Sequence, residues 1–255
     1  MKSGALSAAL VLLSILSFTP TADAQGAQST ATTGLQSRRA MVWGDIGFQA
    51  DAGGSLNSSG LGTVNGLAGE INANSWGERY DAALIVRVGV GYNLTIRDQL
   101  TFASHWEQAE ADRANVGLLA HQQLFAKFDD QQGWDISFGY RRFFPTTTSA
   151  KPFASVSLGL QRVEPISAVL DSPSNDNYQS GSIPFYDDSW VTTWRVGAGM
   201  LWSINDRFGW QATIDLKYSG TLSDVAGLGQ VSFERINDTG NRWTLPIMAG
   251  VHVKF

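Results

Sequence analysis

Eight stretches of this chain alternate apolar and polar residues with a period of two, and the last of them shows it most plainly. From Trp243 to Phe255 every second residue is apolar (Trp243, Leu245, Ile247, Ala249, Val251, Val253, Phe255), and Thr244, Pro246, Met248, Gly250, His252 and Lys254 lie between. Successive side chains of a strand point to opposite sides, so such a segment separates two environments. The same pattern recurs over 42–51, 84–96, 100–107, 134–144, 153–163, 190–204 and 208–219. In 84–96 one face carries Leu84, Val86, Val88, Val90, Tyr92, Leu94 and Ile96. The other carries Ile85, Arg87, Gly89, Gly91, Asn93 and Thr95. The first segment is the least regular.

The gaps between the segments alternate too. Short ones at 97–99, 145–152 and 205–207 interleave with long ones at 52–83, 108–133, 164–189 and 220–241, which are rich in Gly, Ser, Asn and Asp. An even number of antiparallel strands, with short turns at one end and long loops at the other, is the plan of an outer-membrane barrel. Closure there satisfies every backbone group that lipid cannot. A lipocalin-like barrel, with its apolar face turned inward, is the rival. Glycine separates the two. Gly47, Gly89, Gly91, Gly139, Gly159, Gly197, Gly199, Gly209 and Gly250 all fall on the polar face, and Gly44 alone falls on the apolar one. An eight-stranded bore is just wide enough to be filled by side chains, so charged groups inside it need small neighbours. Tyr92, Trp134, Phe144, Trp190, Trp202, Phe208, Tyr218, Trp243 and Phe255 gather near strand ends, where membrane barrels carry aromatic girdles. The expected fold is all-β: an eight-stranded antiparallel transmembrane β-barrel with short periplasmic turns and four long extracellular loops.

Residues 1–24 read as a signal peptide: Lys2, an apolar run from Ala5 to Phe18, Pro20, and Ala22-Asp23-Ala24 ahead of Gln25. Residues 25–40 are polar and expected to be disordered on the periplasmic side, which leaves 41–255 for the barrel. No apolar run reaches the length of a membrane-spanning helix. The chain has no cysteine, so its fold rests on hydrogen bonding and packing. A net charge of −5 with scattered basic residues argues against a nucleic-acid partner.

The signal sequence, the eight alternating strands, the run FDDQQGWDISFGYRRFFP followed by KPFASVSLGL, and the terminal strand closing on Phe255 resemble the small outer-membrane β-barrels that include the OmpA transmembrane domain and OmpX. The resemblance implies that Phe255 belongs to the signal read by the barrel-assembly machinery during insertion. It also implies outer-membrane lipid and lipopolysaccharide as surroundings, a monomer, and no cofactor.

The charges expected inside the barrel are Asp45, Arg87, Glu107, Asp135, Arg141, Arg195, Asp215, Lys217, Arg242 and Lys254. Both signs are present, and charges in a narrow interior persist when paired, so a salt-bridged plug is expected. In that plug Arg87, Arg141, Arg195 and Arg242 would face Asp45, Glu107, Asp135 and Asp215. His105 beside Ser104, with Glu107 near, suggests a hydrolase, but strand neighbours face opposite sides and cannot form a nucleophile–base pair. His121 falls in a long loop and His252 near the other end of the barrel, so neither catalytic nor metal-binding residues are assigned. Phe128-Asp129-Asp130, Asp171 with Asp176, and Asp187-Asp188 lack calcium-loop spacing and read as solvated loop charge. The expected function is a structural or surface-interaction role through the loops. A narrow channel for small solutes is the alternative, and a lipid-modifying enzyme comes third.

Overall fold

The computed structural model describes residues 40–64, 66–174, 178–225, 236–237 and 240–255. The signal-peptide region and the polar segment to residue 39 lie outside the described residues, and Ala40 already belongs to the first strand. Eight long strands form a closed antiparallel barrel: β1 (Ala40–Gly53), β2 (Ala83–Asn93), β3 (Asp98–Ala109), β4 (Gln131–Phe143), β5 (Ala150–Val163), β6 (Ser189–Ser203), β7 (Phe208–Ser219) and β8 (Arg242–Lys254). Each strand pairs with its neighbours in sequence, and β1 closes on β8 from Met41 opposite Lys254 to Gly53 opposite Trp243. The segment read as 84–96 stops at Asn93. Leu94 and Ile96 sit in the turn, which Thr95 and Asp98 hold by side-chain hydrogen bonds.

Burial alternates as the sequence does. On β4, Asp135 is 1% exposed, whereas Phe138 on the opposite face is 59% exposed. Val88, Leu158, Val196 and Ile247 lie on the same outer surface, and an apolar belt of this extent on a water-exposed protein would be an aggregation surface. Aromatic residues border it at two levels. On the long-link side Trp134 packs edge-on against Trp190 at 5.4 Å, and Trp194, Tyr218 and Trp243 form one cluster. Tyr92, Phe144, Trp202, Phe208 and Phe255 lie at the short-turn side. From Trp134 to Arg142 the strand rises roughly 20 Å along the barrel axis at the usual rise and tilt, close to the height of a hydrocarbon band.

The inner glycines do what a filled bore requires. A Cβ on Gly89 would strike the Trp43 ring, and one on Gly197 would strike the Asp215 carboxylate. Pro246 interrupts one ladder of the barrel. Between β7 and β8 the ladder runs to Ile214 opposite Ile247 and resumes at Lys217 opposite Thr244, because proline has no N–H to offer.

The long links depart from expectation most. The first three are not open loops but strands: Gly60–Val64, Leu67–Ile71, Ala114–Leu119, Gln122–Phe128, Ile166–Ser172 and Tyr178–Tyr186 form a six-stranded antiparallel sheet, whereas most of the fourth, 220–241, lies outside the described residues. This crown encloses its own apolar core, in which Leu56, Leu119, Leu124, Phe128, Phe185 and Tyr186 are buried. Its outer surface carries exposed Glu70, Gln123 and Lys127. The crown thus has an apolar core and charged and amide groups on its outer face beside exposed Leu61 and Leu118, whereas the barrel below it has a polar interior and an apolar belt. A short 3-10 turn, Trp76–Glu78, drops from the first long link onto the barrel mouth.

Candidate functional site

The bore is filled layer by layer, and every charge assigned to it from sequence points into it. In the middle, Arg87 donates through Nε to Asp45 at 2.7 Å, reaches Asp215 at 3.3 Å, and donates to Thr213 Oγ1 at 2.9 Å. Gln211 completes this layer by donating to Asp45 at 2.6 Å. Above it Lys217 donates to Glu107 at 2.6 Å and stands 3.8 Å from Asp135, which also receives Arg195. Gln161 donates to the second Glu107 oxygen at 2.7 Å, and Ser219 donates to Gln161 at 3.0 Å. At the crown end Arg242 is held by Asp51 and Gln131 beneath the Trp76 ring, 5.1 Å from its centroid. Lys254 closes the short-turn end on Ser203 at 2.8 Å.

Three pairings differ from the sequence expectation. Arg141 has no carboxylate within ion-pair distance among the described residues. It lies between the rings of Trp43 and Phe153, at 4.3 and 4.7 Å, with only a long hydrogen bond of 3.5 Å to Gln211. Interior aromatic rings substitute for an anion because their faces attract a cation. Glu107 pairs with a lysine instead of an arginine, and the partner of Arg242 is Asp51, a residue not assigned to the bore. Asp51 was legible all the same: it continues the odd-numbered row of Asp45, Gly47 and Gln49 on the same strand.

His105 brings Nδ1 to 2.7 Å from Asp135 Oδ1, but neither ring nitrogen makes a properly aligned hydrogen bond. Ser104 is exposed on the opposite face, so the two cannot act together. Among the described residues no group of three or more His, Asp or Glu is placed to hold a metal ion.

No protein-family model matches the chain, and no curated protein matches it either. Among solved structures it is similar to Neisserial surface protein A, 17% identical with a TM-score of 0.45 over 85% of this chain and 97% of that one. OprG of Pseudomonas aeruginosa is 10% identical with a TM-score of 0.47 over 86% and 96%. The outer membrane protease OmpT of Escherichia coli is 9% identical with a TM-score of 0.41 over 85% and 97%. The closed eight-strand barrel, its apolar belt and its polar bore decide the class. The fold is that of the eight-stranded outer-membrane β-barrels.

On this barrel the acidic pieces of the long links are structural. Asp129 accepts from the Ser167 amide and Asp130 from the Ala111 amide, both at 3.1 Å. Asp187 accepts from the Asp188 amide at 2.8 Å. Asp188 takes both forks of Arg162, and that hydrogen bond holds its exposed carboxyl below the usual carboxylate range. Asp171 is engaged by Arg113, and Asp176 lies outside the described residues. Within the crown, Arg79 is buried against Asn74 and the Asn115 carbonyl, and burial lowers the pKa of its guanidinium.

Proposed function

We propose that this chain is a monomeric, non-conducting barrel of the Gram-negative outer membrane whose role is exercised by the crown it presents at the cell surface. The observation that carries this reading is the double closure of the axis. Paired charges fill the bore from Asp45 to Arg242, and an apolar core fills the crown above. An ion would have to break buried pairs and then cross hydrocarbon-like packing, and both steps oppose conduction. Outer-membrane lipid and lipopolysaccharide surround the belt in this reading. Phe255, whose backbone closes on Ala40 and whose ring is exposed, is the assembly signal. The role is structural or one of surface interaction instead of enzymatic: the buried acids are held by cations, and among the described residues His105 has no nucleophile beside it.

Planar-bilayer recording on the refolded barrel tests this reading. Current at the noise level is expected. A stable, ion-selective current would replace it with the narrow-channel reading, and altered lipid A acylation in a deletion strain would replace it with the enzymatic one. Recovery of the chain from periplasm without detergent would remove the membrane reading altogether.

A further inference from the structure

Charge is unevenly divided along the bore. The inward carboxylates Asp45, Asp51, Glu107, Asp135 and Asp215 all lie in the middle or at the crown end, where Arg87, Arg195, Lys217 and Arg242 hold them. Toward the short turns no Asp or Glu faces inward among the described residues, and residues 25–39, which lead into β1 at this end, contain neither. Yet two bases point into this section: Arg141 lies opposite buried Gln99, and Lys151 opposite buried Leu201. Arg141 is 4% exposed, in the part of the bore where Met41, Trp43, Phe143, Phe153 and Leu201 form a buried apolar cluster. The Trp43 and Phe153 rings attract its guanidinium but offer no oxygen to its N–H donors. Its one acceptor among the described residues, Gln211 Oε1, stands at 3.5 Å and is neutral. Trp43 Nε1 is a second buried donor with no acceptor among those residues.

A cation buried among apolar side chains, with most of its donors unspent, lacks the counter-charge that the other interior charges have and is costly to keep. We propose that Arg141 binds a small inorganic anion, a halide, in the short-turn section of the bore. A monovalent sphere suits the place. It accepts from donors in any direction and tolerates hydrocarbon on its other sides, whereas a phosphate would bring more charge and more acceptor oxygens than Arg141 and Trp43 can serve. Lys151 supplies the approach. It is half-buried near the mouth, without an ion-pair partner among the described residues, and raises the positive potential through which an anion enters from the short-turn side. The anion does for this section what Asp45 and Asp135 do above it. The site does not depend on what the crown binds.

Sodium bromide is the probe, used on the refolded full chain in two ways. Crystals soaked in it should show an anomalous scattering peak within hydrogen-bond reach of the Arg141 guanidinium. In detergent at constant ionic strength, replacing gluconate by bromide or chloride should raise the thermal unfolding midpoint by about 3–6 °C once the halide reaches about ten times its dissociation constant. Arg141→Met, which keeps an apolar chain and removes charge and donors, should lose both the peak and the halide-dependent shift. Arg141→Lys should keep a weaker shift, and Lys151→Gln should lower the apparent halide affinity a few-fold. Water alone at the guanidinium, or bromide peaks confined to the outer surface as adventitious ions only, would overturn the proposal. So would a midpoint that ignores halide in the parent, or a shift of equal size in Arg141→Met. Displacement of bromide by phosphate at the same position would overturn the halide assignment. If Arg141→Met does not refold, the anomalous map and the halide dependence of the parent still decide.

Discussion

The barrel and the crown are built from the same alternation with opposite sign. In the barrel Asp135, Arg195 and Glu107 face inward, and Phe138, Val196 and Trp106 face outward. In the crown Leu124, Ala126 and Phe128 face inward, and Gln123 and Lys127 face outward. The two meet on one continuous run of chain. Phe128 and Gln131 are both buried, with Asp129 and Asp130 both exposed between them, and Val163 and Ile166 flank exposed Glu164 and Pro165 in the same way. At these two crossings a pair of consecutive exposed residues marks the change of solvent. What faces out is set by what surrounds each section, and what faces in follows from the hydrogen-bonding capacity left over. Lipid demands an apolar exterior and leaves polar groups to pair within, whereas water permits the ordinary arrangement.

Breaking an interior pair should produce the largest effect. Asp135→Ala leaves Arg195 without its carboxylate and Lys217 with one neighbour fewer, and should cost about 3–5 kcal/mol, measured as a lowered urea unfolding midpoint in lipid vesicles. Arg141→Ala should cost less, since it strands no carboxylate. A larger loss at Arg141 would mean that ring contacts, not ion pairs, hold the bore. In the crown, Leu124→Ala removes a fully buried side chain and should cost about 3 kcal/mol, read as increased protease cleavage of the crown while the barrel resists. If crown and barrel unfold together in that variant, they form one cooperative unit and the division by solvent has no thermodynamic meaning.

The outer faces give the next comparison. Ala212→Arg on the lipid belt should cost about 2–3 kcal/mol, whereas Gln123→Arg on the crown wall should lie within about 0.5 kcal/mol of the parent. Equal costs would place both surfaces in the same medium. Thr213→Arg should not be mild, because Thr213 accepts from Arg87 in a space already filled. The smallest effect is expected at Pro246→Val, where a restored N–H can rejoin the interrupted β7–β8 ladder and raise stability by about 1 kcal/mol. Hydrogen exchange at Asp215 and Leu216 should slow in that variant. Unchanged exchange would show that the gap is not set by proline.

The barrel was legible because its signal is long and redundant. Eight strands of eleven residues or more repeat one pattern, and the glycines on the polar face indicate that this face is crowded. That was enough to specify the strands, the two faces, the inward charges and the short-turn end. The partners of those charges were not specified, because β1 meets β8 and β3 faces β7 across the bore only after closure. No local spacing relates Arg242 to Asp51 or places Arg141 between Trp43 and Phe153. The crown was missed for a related reason. Its strands are short, five to nine residues, and separated by Gly, Asn, Ser and Asp, so each one alone resembles a loop. Only when the long links are brought side by side on the rim do Leu124, Leu119 and Phe185 find one another, and burial then gives the sheet the stability that its local sequence does not supply. The sequence by itself determined which residues alternate. The closed tertiary structure decided which environment each alternation faces, since burial and pairing are properties of neighbours that lie far apart along the chain.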